Sequence, residues 1–144
     1  MKKVIVYGGS FNPLHKGHEA IITHCLSLAG FDEVWIMPSA KRADKPQLLD
    51  DDVRLAMLSA YVAGRSDTDR LIASDFEIRL GMPSETIRTY EALIDAYPDT
   101  EFTFVFGTDS LADMPNWRGG EYLEEVMNII AVERTGSLLA CNPL

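Results

Sequence analysis

The stretch Lys3-Val4-Ile5-Val6-Tyr7-Gly8-Gly9-Ser10-Phe11-Asn12-Pro13-Leu14-His15-Lys16-Gly17-His18 decides how the rest of the chain is read. Residues 3–7 form a short β-branched and aromatic run that stops at two glycines, the pattern of a buried strand ending in a tight loop. From Gly17-His18-Glu19 onward the apolar residues Ile21, Ile22, Cys25, Leu26 and Ala29 recur at helical spacing, which predicts a helix ended by Gly30. A strand, a glycine loop and a helix in this order make an anion site. The glycines let backbone approach a phosphate, and the helix start near Gly17 adds free N–H groups and positive potential. His15 and His18 bracket that point. The helix N-terminus disfavours a proton on His18, so neutral imidazoles that donate hydrogen bonds to phosphate oxygens are expected. Taken singly, Gly8-Gly9 is a tight turn and the histidines are solvated side chains; their combination after a first strand favours the phosphate reading. Two histidines with no neighbouring carboxylate or cysteine set are too few for a metal centre, and no protein-held metal is expected.

The same grammar continues outward. Residues 33–37 read as a second strand cut off by Pro38, followed by a charged loop over 39–47. Asp50-Asp51-Asp52 supplies the start of a helix carrying Val53, Leu55, Ala56, Leu58 and Ala60, with Arg54 and Arg65 placed off its core face. Residues 71–73 are a short third strand, 77–82 a strand or extended connection, and 85–96 a helix after Pro83-Ser84. Residues 103–106 form a fourth strand ended by Gly107. A short helical turn, the loop Pro115-Asn116-Trp117-Arg118-Gly119-Gly120, a helix over 121–126 and a fifth strand over 128–132 complete the pattern. Nearly uniform apolar strands alternating with helices imply an α/β fold, a doubly wound parallel sheet covered on both faces, with ligands at the carboxyl ends of its strands.

The 144 residues suit one domain, with 47% hydrophobic and 24% charged residues. Thirteen basic residues against 22 acidic ones leave a net charge of −9, which argues against a duplex nucleic-acid partner but not against a small anion bound by a local field. No uncharged apolar run approaches the roughly 18 residues of a membrane span. With Cys25 and Cys141 far apart in sequence and no secretory pattern, the chain reads as a cytoplasmic protein with reduced thiols.

The segment from Gly8 to His18 resembles the nucleotidylyltransferase superfamily with the His-x-Gly-His signature, and is most similar to its nicotinate mononucleotide adenylyltransferase family. A Rossmann dinucleotide fingerprint, Gly-x-Gly-x-x-Gly, is absent. The resemblance continues at Met37-Pro38, at Arg54 with Met57-Leu58, at Pro83-Ser84-Glu85-Thr86-Ile87-Arg88-Thr89, at Phe106-Gly107-Thr108-Asp109, at Trp117 and through Glu133-Arg134. It implies a Rossmann-like nucleotidylyltransferase fold that moves AMP from ATP to the phosphate of nicotinate mononucleotide, with nicotinamide mononucleotide as a second acceptor, in NAD biosynthesis. Position by position, it implies that His15, His18 and the loop cation Lys45 serve the phosphates. Gly8, Gly9, Ser10 and Phe11 would form the ATP cradle, and Gly107 and Asp109 its nucleotide side. Thr86, Trp117 and Arg134 would serve the acceptor, with Trp117 stacking on the pyridine ring. ATP enters as a substrate, and Mg²⁺ is carried by substrate phosphates and water.

Three departures from the family pattern stand out. The loop after the second strand lacks Pro-Pro-His-Lys and has Asp44 at the histidine position. Glu85 stands where the family carries an aromatic residue. The Ser/Thr-rich turn and arginine that close the superfamily pattern do not precede Cys141-Asn142-Pro143-Leu144, so the C-terminal part of the fold is expected to be missing. A truncated chain, a different clamp on ATP and a non-catalytic nucleotide-binding module all fit that last departure. A sister activity on phosphopantetheine, or on glycerol phosphate with CTP, is the alternative within the superfamily.

Overall fold

The structure is a computed structural model that describes residues 1–40 and 48–133 together with the strand Leu138–Leu139. Its elements are β1 (Lys2–Gly9), α1 (Lys16–Ser27), β2 (Glu33–Pro38), α2 (Asp51–Gly64), β3 (Leu71–Ala73), α3 (Phe76–Leu80), α4 (Thr86–Ala96), β4 (Thr100–Gly107), α5 (Thr108–Asp113), α6 (Gly120–Val126), β5 (Asn128–Val132) and β6 (Leu138–Leu139). A 3₁₀ turn, Met114–Asn116, joins α5 to the loop before α6. The sheet order is β3-β2-β1-β4-β5-β6. β1 pairs in parallel with β2, Val4 opposite Glu33, and with β4, Val6 opposite Phe104. The chain thus winds outward through β2 and β3, then returns to lay β4 on the other flank of β1. That reversal between β1 and β4 opens a crevice at the strands' carboxyl ends.

Alternation along β1 builds two cores. Val4 and Val6 face Ile87, Tyr90 and Leu93 of α4 and Leu123 of α6, whereas Ile5 and Tyr7 face Ile22 and Cys25 of α1 and Leu58 of α2. With both faces covered, all four side chains are buried, which is why the strand reads as an unbroken apolar run.

The structure departs from the sequence reading in four places. Residues 77–82 are not a strand: α3 forms over Phe76–Leu80, with Arg79 paired to Asp75 at 2.9 Å and Phe76 packed against Tyr97, and Gly81 at φ +77 follows it. Helix α1 ends at Ser27, where Leu28 N–H donates to the Cys25 carbonyl, while Gly30 at φ +90 lies in the turn beyond. The sheet is not wholly parallel, because β6 runs antiparallel to β5.

The fourth departure matters most. Arg54, placed off the core face by the sequence reading, has no solvent exposure at all. Its guanidinium donates to three carbonyls, Ser10 at 2.9 Å, Ser39 at 2.7 Å and Leu49 at 2.8 Å, and pairs with the Asp51 carboxylate. One side chain on the first turn of α2 therefore ties the loop after β1 to the turn after β2. Asn12 reinforces the tie, its side-chain oxygen accepting the Leu49 N–H at 2.7 Å. A methionine at position 54 keeps the bulk but takes the guanidinium donor away from three carbonyls and from the Asp51 carboxylate. Arg54→Met is expected to lower unfolding free energy by about 3 kcal/mol or more, read as a drop in the urea midpoint.

Candidate functional site

His15 is the N-cap of α1, and its Nδ1 accepts the Gly17 N–H at 3.1 Å; in return His18 Nδ1 accepts the His15 N–H at 3.0 Å. This is a capping box built from two imidazoles. Because each Nδ1 is an acceptor, each neutral ring carries its proton on Nε2, which leaves an N–H donor for a ligand. The rings stack with centroids 3.7 Å apart and planes at 24°. Between them in sequence, Gly17 has a steric duty, since a Cβ there would lie 3.0 Å from the His15 ring. Burial, and then the neighbouring His15, hold His18 down at a pKa of about 4, so it is neutral at pH 7.

These histidines line a cavity of about 340 Å³ on the α1 face of the sheet, with Tyr7, Ile21, Val105, Gly107, Asp109 and Glu133 among its walls. Beneath it, burial pushes the Tyr7 phenol and the Cys25 thiol up to about 12, so both stay protonated at neutral pH. Phe11, at φ +46, is 2% exposed and meets the His18 ring edge-on at 4.9 Å. It is therefore a support beneath the histidine and not the ligand-facing cradle residue the sequence reading made it.

A second cavity, about 400 Å³, opens on the α4 face. Gly8, Gly9 and Ser10 line it together with Thr86, Thr89, Phe106 and Trp117. Trp117 is fixed on two sides, edge-on to Phe106 at 5.7 Å and donating from Nε1 to Asp113 at 3.2 Å. The loop that carries it depends on Gly120, where a Cβ would lie 1.7 Å from the Met114 carbonyl oxygen. Within the same cavity the Glu77 carboxylate accepts the hydroxyls of Ser84 at 2.8 Å and Thr89 at 3.1 Å. Glu85, the N-cap residue of α4, pairs with Arg118 at 2.9 Å.

The structure thus brings His15, His18, Gly107 and Asp109 to one cavity and Gly8, Gly9, Ser10, Thr86 and Trp117 to the other, with Val105 on the wall of both. The glycine pair and the histidines, read from sequence as one cradle, open to different faces. Lys45 and Arg134 lie outside the described residues. Sequence reasoning missed Arg54, Glu77 and Arg118 as site residues. For Arg54 the signal was present, since residues 54 and 58 share one helical face; for Glu77 it was hidden by reading α3 as extended.

Comparison with known proteins defines the class first: the cytidylyltransferase-like family matches residues 6–142. A probable nicotinate-nucleotide adenylyltransferase of Flavobacterium johnsoniae is 36% identical over 134 residues, 92% of this chain and 68% of that protein. One from Myxococcus xanthus is 33% identical, covering 93% and 70%. Among solved structures, Plasmodium falciparum nicotinic acid mononucleotide adenylyltransferase complexed with NaAD superposes with a TM-score of 0.82 at 26% identity, covering 93% of this chain and 65% of that one. The chain belongs to the nicotinate-nucleotide adenylyltransferase family of nucleotidyltransferases, and spans about two thirds of the length of these relatives.

The imidazole cap carries a pH signature. Unfolded His18 titrates near its ordinary 6.5 and folded His18 near 4, so the unfolded state takes up the proton first as pH falls. This contribution to stability is complete above pH 6.5, declines between 6.5 and 4, and is gone below. The His18 ring resonance is expected to titrate with a midpoint near 4, and His18→Gln to lose this component of the acid-induced fall in thermal stability.

Proposed function

We propose that this chain transfers the adenylyl group of ATP to the phosphate of nicotinate mononucleotide, releasing pyrophosphate, with nicotinamide mononucleotide as a second acceptor. The observation that carries the reading is the pair of cavities on opposite faces of the sheet, with Val105 on the wall of both and the glycines that end β1 and β4 among their linings. Two substrates fit two cavities, and their reacting phosphates meet at the shared rim. ATP takes the histidine side, against Gly107 and Asp109, and the pyridine ring takes the side of Thr86 and Trp117. Relatives named for the activity, and a solved neighbour holding the dinucleotide NaAD, support the reaction itself.

The chemistry asks little covalent work of the protein. An acceptor phosphate oxygen attacks the α-phosphorus in line, forming one O–P bond while the bond to the bridging α,β oxygen breaks and pyrophosphate leaves with the electron pair. The attacking oxygen is already ionised, so no general base is required. Charge grows on the α-phosphoryl oxygens and the leaving group, and the Nε2–H donors of His15 and His18 with the N-terminus of α1 stabilise it. His18, neutral at pH 7, has its single ring proton on Nε2, where it is available to the phosphates. Thr86 at the start of α4 offers its hydroxyl and backbone N–H to the pyridine substituent, and Trp117 presents its indole face to the ring. Lys45 and Arg134 supply cations to the phosphates and the acceptor.

Among the described residues no group of three or more His, Cys, Asp or Glu side chains can hold a metal ion. In the proposed reaction Mg²⁺ arrives with the substrate, on the ATP phosphates, and no step is assigned to a protein-held ion. No helix among the described residues is long and apolar enough to cross a membrane, in keeping with water-soluble substrates.

Pyrophosphate release from Mg-ATP with nicotinate mononucleotide tests the assignment, with phosphopantetheine as the control acceptor. Turnover is expected with the pyridine mononucleotide; turnover with phosphopantetheine alone overturns it. His18→Ala is expected to lower kcat by about a hundredfold, as for loss of a donor to developing charge. The same change should cost only about 1 kcal/mol of stability, the usual worth of a cap. An unchanged kcat removes His18 from the reaction.

A further inference from the structure

Among the described residues, those lining the acceptor cavity include no lysine or arginine. The charged ones are Glu77 and Glu85, and the hydroxyls of Ser84 and Thr89 donate to Glu77. A carboxylate on the pyridine is held more strongly where a cation adds to the N–H and O–H donors, and Trp117 has one next to it in the chain. Arg118 lines the mouth, a space of about 360 Å³ bounded by Ser84, Glu85, Thr86 and Trp117, four residues that also line the acceptor cavity. Among the described residues it is the one lysine or arginine lining any of the three cavities.

The geometry of its partner is informative. Arg118 donates to Glu85 through Nε, at 2.9 Å, and the side chain is 62% exposed. An arginine held through Nε is anchored in direction yet keeps two amino groups, the fork that grips a carboxylate with parallel hydrogen bonds. The backbone beneath is equally fixed, because Gly120 packs against the Met114 carbonyl and Gly120 N–H donates to the Trp117 carbonyl at 2.8 Å. Glu85, which replaces an aromatic residue of the family pattern, thus stations a cation beside the indole that faces the ring.

We propose that Arg118, oriented by Glu85, binds the carboxylate on the acceptor's pyridine ring and makes this site select the acid over the amide. The inference rests on the placement of the pyridine between Thr86 and Trp117 given under Proposed function. It makes Arg118 a specificity residue, and Glu85 the residue that positions it.

The test compares nicotinate and nicotinamide mononucleotides on the 144-residue chain, by calorimetric binding and by pyrophosphate release, for the unaltered protein and for Arg118→Ala, Arg118→Lys and Glu85→Gln. The unaltered protein is expected to prefer nicotinate. Arg118→Ala should cut that preference roughly tenfold, as expected for loss of a charge-assisted pair at a partly exposed site, with the loss in KM and affinity and not in kcat. Arg118→Lys should restore part of it, since the charge returns without the fork. Glu85→Gln leaves Arg118 its charge but weakens its anchor, so the preference for nicotinate should fall by less than in Arg118→Ala, and an unchanged preference removes the positioning role from Glu85. If the pair merely braces the loop against α4, Arg118→Ala and Glu85→Gln weaken both acceptors alike, and the proposal falls. Discriminating binding without pyrophosphate release would support Arg118 while refuting adenylyl transfer. Absence of binding by both mononucleotides would refute both readings.

Discussion

A guanidinium sealed from solvent is costly unless every polar atom around it is used, and Arg54 meets that condition by gathering the carbonyls of Ser10, Ser39 and Leu49 and the carboxylate of Asp51. Those atoms belong to the segments that end β1, end β2 and begin α2. The three segments converge on the sheet's carboxyl edge, where Gly9 and Ser10 line the acceptor cavity. Fixing their backbone fixes the floor of that cavity. The constraint is unforgiving, because a group that satisfies one carbonyl leaves the others unpaired in the interior.

The second constraint is the pleat. Successive residues of β1 and β4 face opposite layers, so Val6 and Phe104 turn toward α4 and Tyr7 and Val105 toward α1. Two cavities arise from one strand pair for this reason, and in the proposed reaction the two bound molecules meet where the side chains stop and glycine begins. On the α1 side, the hydrogen bonds that start the helix also set the tautomer of both imidazoles, so folding and preparation of the donors are one event. The protein's net charge of −9 is no obstacle to phosphate binding on such a surface. In the proposed reaction the phosphates meet a helix N-terminus and N–H donors, and these act at contact distance.

Much of this was legible in the residues. Five strands, the crossover helices and the rim position of the segments after Tyr7, Met37 and Phe106 follow from apolar periodicity punctuated by glycine and proline, since local runs decide which segments bury themselves, whereas Thr86 was singled out by the family resemblance. Helix α3 was not legible, because Phe76–Leu80 is too short to show a helical period and is held by Phe76 packing near Tyr97 and by the Asp75–Arg79 pair. The antiparallel β6 was equally hidden, for two residues pair only because β5 already stands beside them.

The sequence by itself determined the fold class, the strand–loop–helix that carries the histidines and the resemblance that named the family, because each is written in residues close together along the chain. Tertiary structure alone decided that Arg54 is buried, that Gly8 and Gly9 line one cavity and the histidines another, and that Glu85 and Arg118 meet beside Trp117. Those facts join residues 33 and 44 positions apart, and a side chain's partners at such separations exist only once the sheet has brought the loops together.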